Sequence, residues 1–166
     1  DDMYKYSDCS IDSVYDENGD GYINPLEVGT TFWGENRRLT ILYAPGMGIS
    51  GDLPDEISDL ASLEKLDLRN NSLSGEIPSS IVSLKNLREL WLDDNSLTGG
   101  INENLKLLES LNILSLQNNS LFSMSSDLCT FIDSLSYFSV RGNQICDSAY
   151  YVPCLYKYLE GNQNCQ

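Results

Sequence analysis

Residues 87–97 read LRELWLDDNSL, and this spacing of leucine and asparagine recurs every 24 residues along the chain. The register is kept through five segments without an insertion or a deletion. Four apolar columns result: Leu39, Leu63, Leu87, Leu111 and Leu135; Leu42, Leu66, Leu90, Leu114 and Phe138; Ala44, Leu68, Leu92, Leu116 and Val140; Ile49, Leu73, Leu97, Leu121 and Ile145. A fifth column holds Asn71, Asn95, Asn119 and Asn143, with Met47 in its place in the first segment.

The spacing predicts an α/β solenoid, a right-handed coil in which each repeat adds one strand to a short parallel β-sheet. We expect about five 24-residue repeats over residues 39–146. The ends of such a coil need caps, because a terminal repeat would otherwise expose its core. We therefore assign residues 1–38 to a helical N-terminal cap and residues 147–166 to a C-terminal cap.

The sequence Asn-Ser-Leu-Ser-Gly-Glu-Ile-Pro occupies residues 71–78, and shorter echoes lie at 51–54 (Gly-Asp-Leu-Pro) and 99–101 (Gly-Gly-Ile). Together with the repeat, these motifs resemble the plant-specific class of leucine-rich repeat, which also occurs in algae and protists. The resemblance covers roughly residues 39–146, about two thirds of the chain. It implies an extracellular recognition or scaffold module without catalytic activity.

The composition excludes several classes of function. The chain carries a net charge of −15 with only 10 Lys and Arg residues, which argues against nucleic acid and against anionic membrane surfaces. No apolar run approaches the roughly 18 residues of a membrane-spanning helix. The chain has no histidine, so the commonest general base and every Ser-His-Asp or Cys-His arrangement are missing. We therefore expect no nucleic-acid partner, no membrane insertion and no enzyme activity.

Residues 16–27 read DENGDGYINPLE and fit the EF-hand calcium loop at every defining position. The predicted calcium ligands are Asp16, Asn18, Asp20, the backbone carbonyl of Tyr22, Asn24 and Glu27. The alternative is an acidic turn that binds nothing. Because EF-hands usually pair and this sequence has a single such loop, we expect the calcium to be structural rather than regulatory.

The strand of each repeat should alternate inward leucines with outward residues on the concave face, the usual ligand surface of solenoids. Trp91 lies outward in the middle of the sheet, and a central exposed Trp is typical of binding hot spots. Tyr43 and Tyr137 lie outward toward the two ends, and Asp67 lies outward in the repeat before Trp91. We predict these four residues as ligand contacts. The alternative is that Trp91 is an isolated surface aromatic.

The motif Asn-Asn-Ser occurs twice and makes Asn70 and Asn118 candidate acceptors for N-linked glycans. The two residues share one column two coils apart, which places them roughly 10 Å apart on one rim. Chance motifs are frequent in a sequence rich in Asn and Ser, so the motif leaves occupancy open. The adjacent Asn71 and Asn119 belong to the repeat and should bond backbone groups inside the turn.

The cysteines are assigned by the register and by the resemblance. Cys129 falls in the column that Ile57 begins, so we expect a buried residue that acts as a small hydrophobe. Cys146 and Cys154 follow the last repeat. The resemblance implies a disulfide bond between them that closes the C-terminal cap.

Cys9 and Cys165 then remain, in opposite caps. Five coils of about 4.8 Å each separate the two caps by more than about 20 Å. A disulfide, by contrast, needs its two Cα atoms within roughly 4.4 to 6.8 Å of each other. An odd cysteine suggests intermolecular pairing, so a bond from Cys9 of one subunit to Cys165 of the next would give head-to-tail assembly. The alternatives are that Cys165 pairs inside the C-terminal cap or that a small thiol caps Cys9.

Two functions follow from these predictions. The first is a secreted, calcium-stabilised structural glycoprotein that assembles head to tail through its caps. Eight of the ten tyrosines lie outside the repeats, and tyrosine is enriched at interfaces, although it also plugs the ends of solenoids. The second is a monomeric extracellular module that binds a protein, peptide or glycan on its concave face.

Overall fold

The computed structural model describes residues 30–34, 38–146 and 158. The strands within them are β1 Thr30–Trp33, β2 Leu39–Tyr43, β3 Ser50–Asp52, β4 Lys65–Asp67, β5 Ser72–Ser74, β6 Glu89–Trp91, β7 Gly100–Ile101, β8 Ile113–Ser115, β9 Ser123–Met124 and β10 Tyr137–Ser139. The 3₁₀ turns are Asp55–Asp59, Ser79–Ser83, Glu103–Leu107 and Ser126–Leu128, and the α-helix α1 is Cys129–Ser134.

The main sheet contains one parallel strand from each repeat. Its order is β1-β2-β4-β6-β8-β10, and β1 is antiparallel to β2. Leu42 lies opposite Leu66, and Leu90 lies opposite Leu114, so neighbouring strands pair with the offset of the sequence period. Each apolar column therefore forms a continuous row inside the solenoid. The parallel sheet that the repeat predicts is confirmed.

Short 3₁₀ turns close the coil on the side opposite the main sheet. Pro54 and Pro78 precede two of these turns in the extended conformation, with φ of −75° and −63°, close to the value that the proline ring imposes. Each of these turns contributes one buried side chain, Ile57 and Ile81 respectively. A single apolar residue per turn is sufficient because the leucine rows of the sheet supply the rest of the core.

The asparagine column forms a ladder that links successive coils. Oδ1 of Asn119 accepts a hydrogen bond from the backbone N–H of Leu97 at 2.9 Å. Its Nδ2 donates to the carbonyl oxygens of Leu92, Leu116 and Gln117 at 3.0, 3.2 and 3.1 Å. The same four bonds recur at Asn71, Asn95 and Asn143. These amides satisfy backbone groups inside the turns, as the sequence predicts.

The last repeat departs from the 24-residue register on the side opposite the main sheet. In the preceding repeat Ile101 and Leu105 fill two core positions, and the 24-residue period predicts Ser125 and Cys129 as their equivalents. Met124 and Leu128, each one residue earlier, are buried in their place. Helix α1 then restores the register before β10. An α-helix rises about 1.5 Å per residue against about 2.0 Å in a 3₁₀ turn, so it accommodates one extra residue over the same distance.

This shift corrects the prediction for Cys129. Leu128, 1% exposed, fills the core position, and Cys129 lies half-buried at the start of α1. Cys129 is disulfide-bonded, and so is Cys146. Cys129 is therefore not the free, buried hydrophobe that its column predicts.

Residues outside the repeats contact both ends of the sheet. Tyr158 packs edge-on against Phe138, with ring centroids 5.0 Å apart, and donates a hydrogen bond to Asp133 at 2.9 Å. Tyr158 thus covers the end of the core, as the capping alternative for the terminal tyrosines requires. At the other end the described part of the predicted helical cap contains a strand, β1, and the rest of that cap lies outside the described residues.

Candidate functional site on the open face of the sheet

The sheet face opposite the core is the predicted concave face, called the open face below. It carries the outward residues of the five parallel strands and the residue that lies two positions beyond each strand. These are Ile41, Tyr43, Pro45, Lys65, Asp67, Arg69, Glu89, Trp91, Asp93, Ile113, Ser115, Gln117, Tyr137, Ser139 and Arg141.

Asp67 and Arg69 form a bidentate ion pair on the open face. They share a face because they lie two residues apart on an extended segment. Nε and Nη2 of Arg69 donate to Oδ1 and Oδ2 of Asp67 at 2.9 and 2.7 Å. These hydrogen bonds raise the pKa of Arg69, whereas burial acts in the opposite direction. The Asp67 side chain is completely buried, so it fixes the guanidinium and is out of reach of a ligand.

Trp91 is held on three sides by its neighbours. The guanidinium carbon of Arg69 lies 4.6 Å from the centroid of the indole ring, within cation–π distance. The indole N–H donates to Oε2 of Glu89 at 3.0 Å, and the same oxygen receives Nζ of Lys65 at 2.8 Å. The ring of Tyr137 stacks on Trp91 with centroids 5.7 Å apart and an interplanar angle of 28°. We call Arg69, Trp91 and Tyr137 the cation–aromatic stack.

The stack depends on a small residue in the strand between its two aromatic rings. Trp91 lies on β6 and Tyr137 on β10, so their strands are separated by β8 and stand roughly 10 Å apart. Ser115 on β8 is the register partner of Trp91 and is completely buried. Its short side chain leaves space for the rings to meet above β8. Ser115 Oγ in turn donates a hydrogen bond to Oδ1 of Asp93.

The four predicted ligand contacts thus occupy different environments. Tyr43 and Tyr137 are each 40% exposed, whereas Trp91 is half-buried and Asp67 is buried. Arg69 joins Asp67 to Trp91, and Tyr137 joins them by stacking on Trp91. Tyr43 lies nearer the N-terminal end of the sheet.

Sequence reasoning missed Arg69, Glu89 and Gln117 as parts of the site. Gln117 donates from Nε2 to the hydroxyl oxygen of Tyr137 at 3.0 Å and so orients the phenol. The register places all three residues next to predicted contacts. That adjacency was the available signal, because long polar side chains in neighbouring coils can span the roughly 4.8 Å between strands.

The N-terminal end of the open face is apolar. Phe32 on β1 lies opposite Ile41 on β2 and is 52% exposed. Residues paired across two antiparallel strands present their side chains on the same face, so Phe32 extends the open face beyond β2. Together with Tyr43 it forms an exposed aromatic end, distinct from the charged middle of the face.

Both candidate glycan acceptors lie exposed on the surface. Asn70 and Asn118 have φ of 56° and 51°, a left-handed conformation that asparagine tolerates better than most residues. Nδ2 of Asn118 donates to Oδ1 of Asp94 at 2.7 Å, whereas the side chain of Asn70 has no hydrogen bond within the described residues. Glycosylation of either residue stays a prediction.

The predicted calcium loop and three of the predicted disulfide cysteines lie outside the described residues. They are Asp16, Asn18, Asp20, Tyr22, Asn24 and Glu27 of the loop, and Cys9, Cys154 and Cys165. Over residues 30–34, 38–146 and 158, no group of three or more acidic or cysteine side chains is arranged to hold a metal ion. The same residues include no helix with the length and hydropathy of a membrane span.

We expect acid to loosen the surroundings of Trp91. The hydrogen bond from Lys65, followed by that from the indole N–H, lowers the pKa of Glu89. A carboxylate with a lowered pKa in the folded state contributes stability above its unfolded pKa of about 4.3 and loses it as the pH falls through the folded value. Fluorescence of a Trp33→Phe variant, in which Trp91 is the remaining tryptophan, should therefore change below about pH 4.3.

Glu89→Gln in the same background is the matched control, because the amide keeps the shape and cannot titrate. Its emission should be flat over the acid range in which the parent changes. The effect on folding stability should stay below about 1 kcal/mol, because the pair is partly exposed and screened by water. An identical acid transition in both proteins would show that Glu89 does not hold Trp91.

Residues 37–144 match the family model described as leucine-rich repeat region. With the sheet register and the asparagine ladder, this match shows that the chain belongs to the leucine-rich repeat family. No curated protein matches the chain.

Ectodomains of plant receptors have a similar structure. The BIR2 ectodomain from Arabidopsis thaliana is 35% identical, over 68% of this chain and 60% of that one, with a TM-score of 0.63. A chain of the BIR3–SERK2 complex from the same plant is 36% identical, over 66% and 59% of the two chains, with a TM-score of 0.62. The present chain thus spans about 60% of the length of these two relatives.

A chain of a third structure is similar over a shorter part of its own length. The structure contains the Arabidopsis receptor kinase HAESA with the peptide hormone IDA and the co-receptor SERK1. The identity is 32%, the match covers 63% of this chain and 17% of that one, and the TM-score is 0.59.

Proposed function

We propose that the protein is a non-catalytic extracellular recognition module that binds a protein or peptide partner on the open face. The observation that carries the proposal is the cation–aromatic stack of Arg69, Trp91 and Tyr137. Its residues lie outside the leucine core, yet ion pairs and hydrogen bonds fix them in the middle of the sheet. Pre-organised aromatic and arginine side chains are typical of binding hot spots, because little side-chain entropy remains to be lost on binding.

The relatives support the same proposal. BIR2 is an ectodomain, and BIR3 and SERK2 form a complex. The third structure is a complex of HAESA with the peptide hormone IDA and the co-receptor SERK1. An extracellular location and a peptide or protein partner are the corresponding properties of this chain. The absence of histidine accords with binding rather than catalysis.

Head-to-tail assembly is less well supported than recognition. That hypothesis takes Cys9 and Cys165 as the two cysteines left over when Cys129 is a free core residue. Cys129 is instead disulfide-bonded. The assignment of the five cysteines that leaves Cys165 without a partner in its own chain therefore loses its basis. Tyr158, one of the tyrosines that favoured an interface, covers the core of its own chain.

Calcium at the loop of residues 16–27 is proposed as a structural ion. At a free calcium concentration about 100 times the dissociation constant of the loop, binding stabilises the folded state by about 2.7 kcal/mol. The reason is that only the folded loop presents the ligands together. Thermal unfolding in 10 mM calcium chloride should then occur several degrees above unfolding in chelator. Glu27→Gln should remove this difference, and Glu103→Gln, in a 3₁₀ turn of the repeats, should keep it. Equal melting temperatures with and without calcium would contradict the site.

Selection from a random peptide library tests the recognition function. Heptapeptides displayed on phage are selected on the immobilised full chain, and recovery is compared between wild type and two alanine variants. Trp91→Ala removes the central aromatic of the open face, and Phe122→Ala removes an aromatic that is 58% exposed outside it. Loss of phage recovery on Trp91→Ala, with recovery kept on Phe122→Ala, supports the proposal. Loss with Phe122→Ala and retention with Trp91→Ala would place binding elsewhere.

A further inference from the structure

We infer that Arg141 and Tyr137 recognise a side-chain carboxylate of an extended, acidic peptide bound on the open face. The inference rests on the proposed function and adds the chemistry of the ligand at one end of the face. On the open face the hydrogen-bond acceptors are already used within the protein, whereas donors at its C-terminal end remain available to a ligand, and the inference follows from this difference.

The carboxylates of the open face are already bonded within the protein. Both oxygens of Asp67 receive the guanidinium of Arg69. Oε2 of Glu89 receives Lys65 and the indole N–H. Oδ1 of Asp93 receives the hydroxyl of Ser115 and the backbone N–H of Gln117, and this side chain is 5% exposed. A ligand therefore finds few free acceptors here.

Donors, by contrast, remain available at the C-terminal end. Arg141 is exposed, and none of the ion pairs found among the described residues involves it. The hydroxyl oxygen of Tyr137 accepts from Gln117, so its own proton is free to be donated to a ligand. Gln117 and Arg141 occupy the same column in adjacent coils, whose backbones are joined where Asn118 N–H donates to the Arg141 carbonyl at 2.7 Å.

A carboxylate is the group that matches such donors best. The guanidinium of arginine presents N–H groups in a planar fork that fits the two oxygens of a carboxylate. The phenol of Tyr137, held by Gln117 in the coil next to that of Arg141, can supply a further donor. The side-chain carboxylate of Asp or Glu is therefore the group that we assign to this end of the face.

The dimensions of the face and its apolar end set the length of the ligand. Five strand spacings separate β1 from β10, or roughly 24 Å, which an extended peptide of about seven residues spans. Phe32, Ile41 and Tyr43 lie at the far end and suit an apolar residue. A bound heptapeptide should thus carry an acidic residue toward one terminus and an apolar residue toward the other.

The test uses random heptapeptides fused to phage through their carboxyl ends, so that they carry no free terminal carboxylate. Peptides recovered on the wild-type chain should be enriched several-fold in Asp or Glu at one terminal region. The net charge of −15 makes this result specific, because non-specific attraction would enrich basic peptides. Arg141→Gln should abolish the acidic enrichment while peptides are still recovered. Lys106→Gln, which removes the same charge from an exposed 3₁₀ position, should keep it.

Tyr137→Phe refines the same test, since it removes the donor and keeps the stacking ring. It should weaken the acidic preference without reducing total recovery. Recovered peptides that show no acidic preference, or the same preference on Arg141→Gln, would overturn the inference and leave the proposed function standing. Failure to recover any peptide, or binding confined to acidic oligosaccharides, would overturn both. A preference that appears only in a second library with free carboxyl termini would assign the donors to a terminal carboxylate and overturn the side-chain inference.

Discussion

Replacing Asn119 by alanine should lower the free energy of unfolding by about 3 to 4 kcal/mol, the largest loss of stability that we expect from one substitution. The amide makes four hydrogen bonds to two coils, the preceding one and its own. The carbonyls of Leu92 and Leu116 each keep a second donor from Asn95 and Asn143. The N–H of Leu97 has no such substitute, so it becomes an unsatisfied buried donor.

Urea unfolding of the wild type and of two further variants checks this expectation. Asn119→Asp should be at least as damaging as alanine, because a carboxylate can accept from Leu97 but would face three carbonyl oxygens. Asn112→Ala is the control. Asn112 is exposed on the neighbouring segment, and its loss should change stability by less than about 0.5 kcal/mol. An Asn119→Ala value within about 1 kcal/mol of the control would contradict the role of the ladder.

Trp91→Ala should weaken peptide binding about 30-fold or more, the largest functional effect that we expect. Hot-spot residues contribute about 2 kcal/mol or more when truncated, and Trp91 has the central position and fixed geometry of such a residue. The loss includes a conformational component. Without the indole ring, Arg69 and Tyr137 each lose the ring against which they pack.

Folding should be less affected than binding by the same change. The stack is worth about 1 to 2 kcal/mol through the cation–π and aromatic contacts, and the leucine rows of the core are untouched. Calorimetric titration of a selected heptapeptide, alongside urea unfolding of each variant, separates the two effects. Trp91→Phe should lie between wild type and alanine, because it keeps a ring but loses the hydrogen bond to Glu89. Equal affinities of wild type and Trp91→Ala would contradict the assignment.

The main sheet could be predicted from sequence because its register equals the repeat period. Leu66 and Leu90 occupy one column of the sequence and one row of the structure. The far side of the last coil could not be predicted in this way. Leu128 and Cys129 are adjacent and both apolar, so periodicity alone does not decide which one enters the core. The choice depends on where α1 begins, which is a property of the three-dimensional coil rather than of the column.

The candidate site was predictable in position but not in accessibility. Alternation along the strands places Asp67 and Trp91 on the open face, as the sheet requires. An outward direction does not ensure contact with solvent, because neighbouring long side chains can cover a short one. Arg69 pairs with Asp67, and the rings of Trp91 and Tyr137 stack across the strand that separates theirs. These contacts cross between coils, so no single repeat contains the information that predicts them.

Photo-crosslinking tests the central claim, that the open face is the recognition surface, most directly. A selected heptapeptide carrying a benzophenone group is irradiated with the full chain, and the attachment sites are located by mass spectrometry of the digest. We expect attachment within residues 65–69, 89–93, 113–117 and 137–141, whose outward side chains form the open face. Attachment confined to the 3₁₀ turns Asp55–Asp59, Ser79–Ser83 and Glu103–Leu107, on the opposite side of the coil, would contradict the claim.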